Sequence, residues 1–94
     1  MRDITYAYDK EAGKPHYKVR HGDIDDSDIE EVFSGPIVVI GQQGSVTKGV
    51  GRTLKGRFLT VVFIRRGKDR YHVVTAWPSK RKQILLWHRE MKRR

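Results

Sequence analysis

Residues 56–77 read "GRFLTVVFIRRGKDRYHVVTAW", and the way this stretch pairs with itself decides the fold. Positions 59 to 64 are apolar apart from Thr60, which predicts a central strand covered on both faces. Gly67, Lys68 and Asp69 form a turn into a second strand, "RYHVVTAW". Arg57, Arg65, Arg66, Arg70 and His72 sit towards the strand ends. A hairpin with an apolar middle and a cationic rim is suited to meeting an anion.

Working outward, Lys55 and Gly56 predict a tight two-residue turn back to "VTKGVGRTL", and "GQQGS" turns that segment back to "PIVVI" behind Pro36. Four strands then follow one another as an antiparallel meander. Before them, "DIDDSDIEEVFSG" reads as a helix, with Asp25 or Asp26 as N-cap, acids in the first turn, Ile29, Val32 and Phe33 on one face, and Gly35 at the stop. "ITYAY" alternates weakly, as a short first strand would, and Gly13 and Pro15 break the linker after it. After Pro78, "SKRKQILLWHREMKRR" predicts a helix capped at Ser79, with Ile84, Trp87, His88 and Met91 along one stripe. This stripe favours packing on the domain's own sheet over lying on a membrane surface. The expectation is a single α+β domain over residues 1–94, with a four-strand antiparallel sheet, one or two N-terminal helices and a C-terminal helix.

With 94 residues there is room for one core, and with no cysteine that core holds without disulfides or thiolate metal sites. No apolar run is long enough for a membrane span, and the N-terminus lacks a signal-peptide core, so a soluble cytoplasmic protein is expected. The charge is lopsided. Residues 1–35 hold five Lys/Arg against nine acids, net -4, while residues 36–94 hold fifteen against two, net +13. A partner with regularly spaced phosphates, RNA above all, suits such a half, because each phosphate neutralised releases counterions.

Turn lengths convert sequence into faces. A two-residue turn at Lys55 and Gly56 sets Arg52 opposite Leu59, and a three-residue turn at 67–69 sets Leu59 opposite Trp77. Arg52, Arg57, Thr75 and Trp77 then share one face, with Arg70 and His72 on the other. On the first face Arg52 can fork onto a phosphate, Thr75 can donate to it, and Trp77 can either stack a base or pack beneath the last helix. Gly49 and Gly51 are followed by Leu54 where a dinucleotide loop needs its third glycine, so they are expected to mark a bulge. The four histidines, His16, His21, His72 and His88, lack a metal-ligand spacing, so no metal and no cofactor are expected.

"YKVRHGDIDDSDIEEVFSG" and "GRTLKGRFLTVVFIRRGKDRYHVVTAW" resemble the corresponding segments of BrnT-type toxins, over roughly residues 17 to 87. The resemblance implies a RelE-like or barnase-like fold and a metal-independent endoribonuclease. It also implies a toxin-antitoxin pair in which a cognate antitoxin, of ribbon-helix-helix type, neutralises the toxin. By position it marks Arg20, His21, Arg52, Arg57, Thr75 and Lys80, Arg81 and Lys82. Where the family has arginine, tyrosine and glutamate, this chain has His72, Trp87 and Gln83, and Trp77-Pro78 replaces an Arg-Lys pair. "VTAWP" is similar to the strand ending of the barnase and colicin nucleases, which pair its threonine with a distant helical histidine, a part His21 would take. The expected catalytic set is thus His21, Arg52 and Thr75, with His72 as the competing imidazole. Arg57, Arg70, Trp77, Lys80, Arg81 and Lys82 are expected to hold the RNA. The alternative is a non-catalytic RNA- or DNA-binding module.

Overall fold

The computed structural model of the chain describes residues 3–11, 13–15, 17–18 and 23–93. Seven strands and two helices are found there: β1 (Asp3–Tyr6), β2 (Tyr8–Asp9), β3 (Lys14–Pro15), α1 (Asp26–Ser34), β4 (Val38–Gln43), β5 (Val46–Arg52), β6 (Phe58–Gly67), β7 (Arg70–Pro78) and α2 (Arg81–Lys92). β4 to β7 form the expected antiparallel meander. The sheet is nevertheless five-stranded, in the order β1-β7-β6-β5-β4, because the "ITYAY" segment adds β1 parallel to β7. β2 and β3 pair as a separate small ribbon.

Each helix covers one face of this sheet. α1 starts at Asp25, whose backbone N–H donates to the Asp28 carboxylate at 2.9 Å, and buries Ile29, Val32 and Phe33. It packs with Tyr17, Ile24, Leu59, Val61, Phe63, Val73 and Ala76 in the larger core. Gly49 and Gly51 make this approach possible: a Cβ on them would lie 2.5 Å from Ile37 Cγ2 and 2.4 Å from Val32 Cγ1, respectively. Their pairing with β6 is regular, but the β4 register shifts between Val39 and Gly41, so the bulge expected at these glycines lies across from Gly49 on β4, at Ile40. On the opposite face α2 buries Trp87 against Val38, Val50, Phe58 and Ile40, with Met91 joining from the expected stripe. His88 is exposed, its ring 5.3 Å from that of Phe58.

α2 begins one residue later than expected, with Lys80 as N-cap, because the Ser79 hydroxyl is occupied elsewhere. Thr60, the one polar residue in the apolar run of β6, is fully buried, lies 2.9 Å from Ser79 Oγ and donates to Gln83 Oε1 at 2.7 Å. The same Gln83 oxygen accepts from Lys80 N–H at 2.9 Å. This network joins the start of α2 to the middle of the sheet and leaves no buried oxygen of the group unpartnered. β6 is the central strand, but only its α1 face is covered along its length. On the α2 face Thr60 is buried, whereas Val62 and Ile64 stay partly open, because α2 packs on β4 and β5 and stops short of them.

Candidate functional site

Both hairpin turns differ in length from expectation, and the faces change with them. The β5-β6 loop is closed by Thr53 N–H donating to Arg57 O at 2.8 Å and Gly56 N–H to Thr53 O at 3.0 Å, with Gly56 at φ 85. These bonds make a three-residue loop ending in a left-handed glycine. Arg52 therefore pairs with Phe58 instead of Leu59. The β6-β7 turn has only Lys68 and Asp69 between the paired Gly67 and Arg70, with Asp69 in the left-handed region at φ 61. A bulge at Arg66 restores the expected register for Phe63, Ile64 and Arg65. A second irregularity at Val74 then shifts the rest, so that Val62 faces Thr75, Thr60 faces Trp77 and Leu59 faces Pro78.

The result is a regrouping of the predicted residues. Leu59 points into the α1 core, whereas Arg52, Thr75 and Trp77 lie on the opposite face, together with Arg70 and His72. Without the extra residue at Val74, His72 and Thr75 would point to opposite sides, as the sequence led us to expect. Arg52 shares the face but stands at its far end, with its guanidinium 5.8 Å from the Phe58 ring. Four residues of β5 separate it from Lys48, the residue in line with Val62 and Thr75, a span of about 13 Å. Arg52 and Thr75 are thus not brought together. Arg57 is on the α1 side, where it donates to Asp23 Oδ2 at 2.5 Å and to Asp23 O at 3.2 Å, bracing the loop ahead of α1. Lys80, Arg81 and Lys82 are exposed at the α2 start, near the Arg52 end. Arg20 and His21 lie outside the described residues.

The open half of this face carries a pocket of about 340 Å³ lined by Asp3, Thr5, Arg66, Arg70, Tyr71 and His72. Parallel pairing of β1 with β7 sets Thr5 beside His72, and Thr5 Oγ1 lies 2.8 Å from His72 Nδ1. When Nδ1–H donates to that hydroxyl, Nε2 carries the lone pair and can accept a proton. Arg70 Nε is 3.9 Å from Asp3 Oδ2, both side chains mostly exposed, a pair weak enough for a phosphate to displace. Arg66, unpaired at its bulge, forms no ion pair among the described residues. Half-buried Thr75 lies next along the strand from the bulge.

Two participants were hidden from sequence reasoning. Thr5 was part of a recognised strand, but nothing in "ITYAY" shows that it lies beside His72 across a parallel pair. Lys48, on the middle of β5, reaches the open face with Nζ 6.0 Å from the Trp77 ring centroid. Its alternation with Val46 and Val50 was the available signal. No helix among the described residues is long and apolar enough to cross a membrane. Compared with protein-family models, curated proteins and solved structures, the chain matches none.

Proposed function

We propose that this protein is a metal-independent endoribonuclease, the toxin of a toxin-antitoxin pair, that cuts RNA on the uncovered half of its sheet. The observation that carries the proposal is the convergence of His72, oriented by Thr5, with Arg66 and Arg70 around one open pocket, with Thr75 further along the same face of β7. RNA supplies its own nucleophile. His72 Nε2 takes the proton from a 2′-OH as that oxygen attacks the adjacent phosphorus, and the P–O bond to the 5′-oxygen breaks, with water returning a proton to the leaving oxygen. Arg66 and Arg70 stabilise the charge that builds on the phosphorane, and Thr75 donates to a phosphate oxygen. The products are a 2′,3′-cyclic phosphate and a 5′-OH.

The α+β architecture and the resemblance of residues 17 to 87 to BrnT-type toxins support a RelE-like assignment, a cytoplasmic site of action and a neutralising antitoxin of ribbon-helix-helix type. Among the described residues it is His72 that stands with the arginines, so the base role is given to it, whereas His21 lies outside them. Arg52 becomes a distal contact. The test is cleavage of single-stranded RNA by the purified chain in EDTA. Wild type and Arg52→Ala should both cut, leaving cyclic phosphate ends, and His72→Ala should lose about 10²–10⁴-fold in rate, the usual share of a general base. Equal cleavage by His72→Ala and wild type, or no cleavage by folded wild type, sinks the proposal. The second outcome would favour a non-catalytic nucleic-acid module.

A further inference from the structure

A second pocket, of about 380 Å³, opens on the same face nearer to α2, and its walls include Trp77, Val62, Lys48, Gly41, Gln42 and Gln43. Trp77 is only half-buried, in contrast to Trp87, which the helix packs away at 9% exposure. The indole therefore offers surface to a ligand. Lys48 approaches its ring only at 6.0 Å, the outer limit of a cation–π contact. A flat ligand can displace it at little cost.

Gly41 adds no side chain to the floor, and the Lys48 stem lies beside it, its Cε at an ordinary contact distance of 3.5 Å from where a Cβ on Gly41 would be. Gln43 pairs with Val46 and Gly41 with Lys48, which by alternation places the Gln43 amide on this face at the pocket edge. An aromatic wall, an apolar Val62 side and a neutral amide together suit a flat heteroaromatic ring with both a donor and an acceptor on its edge. On the N7 edge of a purine, a glutamine amide, with one donor beside one acceptor, complements the N7 and N6 groups of adenine, whereas guanine presents acceptors at both O6 and N7 on that edge and does not match it. The row containing Trp77 lies four residues along β6 from the row containing His72, about 13 Å. That is several times the roughly 3.4 Å step of a stacked strand, so base and reacting phosphate belong to different nucleotides of one unstacked strand.

Resting on the RNA-cleaving role proposed above, we infer that the Trp77 pocket is a base-recognition site that takes an unstacked adenine of single-stranded RNA, stacked on Trp77 and read at its edge by Gln43. Lys48, displaced from the indole, then neutralises a neighbouring phosphate. The intact chain is titrated with AMP, GMP, CMP and UMP at millimolar concentrations while tryptophan fluorescence is followed. AMP should quench the signal and bind several-fold more tightly than the other three. Trp77→Phe should remove the quench, because the remaining Trp87 is packed away, and Gln43→Ala should bring AMP down to the level of the others. No quench with any nucleotide, equal affinities for all four, or a preference for GMP overturns the assignment. The readout does not depend on chemistry: AMP-selective quenching by a protein that cuts no RNA rejects the nuclease and keeps the pocket. Cleavage without nucleotide selectivity does the reverse.

Discussion

At the scale of single residues, the proposed site depends on a hydroxyl that orients its imidazole. Thr5 Oγ1 lies against His72 Nδ1, so its contribution is to hold the imidazole plane and set which nitrogen carries the proton. Thr5→Val keeps the shape and β-propensity while deleting the hydrogen bond. Its expected effect is a fall in kcat of up to about 10²-fold, the scale on which misplacing a reacting group by an ångström acts, with KM little changed. Thr5→Ser should recover most of the loss. A merely structural Thr5 would lower the amount of folded protein and leave kcat per folded molecule where it was.

At the scale of elements, the sequence was most informative where one face of an element carries the message. The α1 stripe of Ile29, Val32 and Phe33 was legible, as were the β4-β7 meander and the packing of α2 through Trp87 and Met91. The face that gathers His72, Thr75 and Trp77 was not, because the irregularities at Arg66 and Val74 carry no turn residue to announce them, and one of them alone reverses every side chain beyond it. Gly49 and Gly51 did stand out, but the need they answer is the close approach of Ile37 and α1, visible only once the helix is on the sheet. The attachment of α1 makes its own prediction. Tyr17, 1% exposed, donates its hydroxyl to Asp26 in the first turn of α1, and burial first, then this hydrogen bond, raises its pKa well above the usual value. Tyr6, packed against it at 5.5 Å, is raised likewise, chiefly by burial. A folded-state pKa above the unfolded one gives stability that is complete below the unfolded value, about 10 for tyrosine, and is lost as pH rises beyond it. Thermal melts should therefore hold steady up to about pH 9 and fall steeply between about 10 and 11, and Tyr17→Phe, less stable at neutral pH, should show a shallower fall. Parallel curves for the two proteins would mean that Tyr17 does not govern the alkaline transition.

At the scale of the whole molecule, the charge imbalance along the chain becomes an imbalance across the sheet. α1 carries exposed Asp25, Asp26 and Glu30 on one side, while Lys48, Arg66 and Arg70 lie on the open face of the other side, with Lys80, Arg81 and Lys82 beyond its far end. A polyanion is repelled from the first side and drawn to the second, which orients it before any contact forms. The cations at the two ends of this face also differ in their expected roles. Arg66 and Arg70 line the His72 pocket, where the proposed reaction would place the phosphate, whereas the α2 start lies eight or more residues further along the chain from His72 and would hold only flanking nucleotides. With six such cations engaged, and about 0.7 per phosphate for single strands, log affinity for RNA should fall against log salt with a slope near about -4. Replacing Lys80, Arg81 and Lys82 together by Ala should flatten that slope by about 2 while leaving the rate at saturating RNA unchanged, since none of the three reaches the His72 pocket. Arg70→Ala should change the slope by less than 1 and yet cut the rate severely, because its charge acts on the transition state. Binding measured by fluorescence anisotropy between about 50 and 200 mM salt, beside single-turnover cleavage, separates the two behaviours. A triple variant that binds with the wild-type slope would show that RNA crosses the sheet without reaching α2, and its path would then run from Trp77 towards β4 and the Gln43 edge.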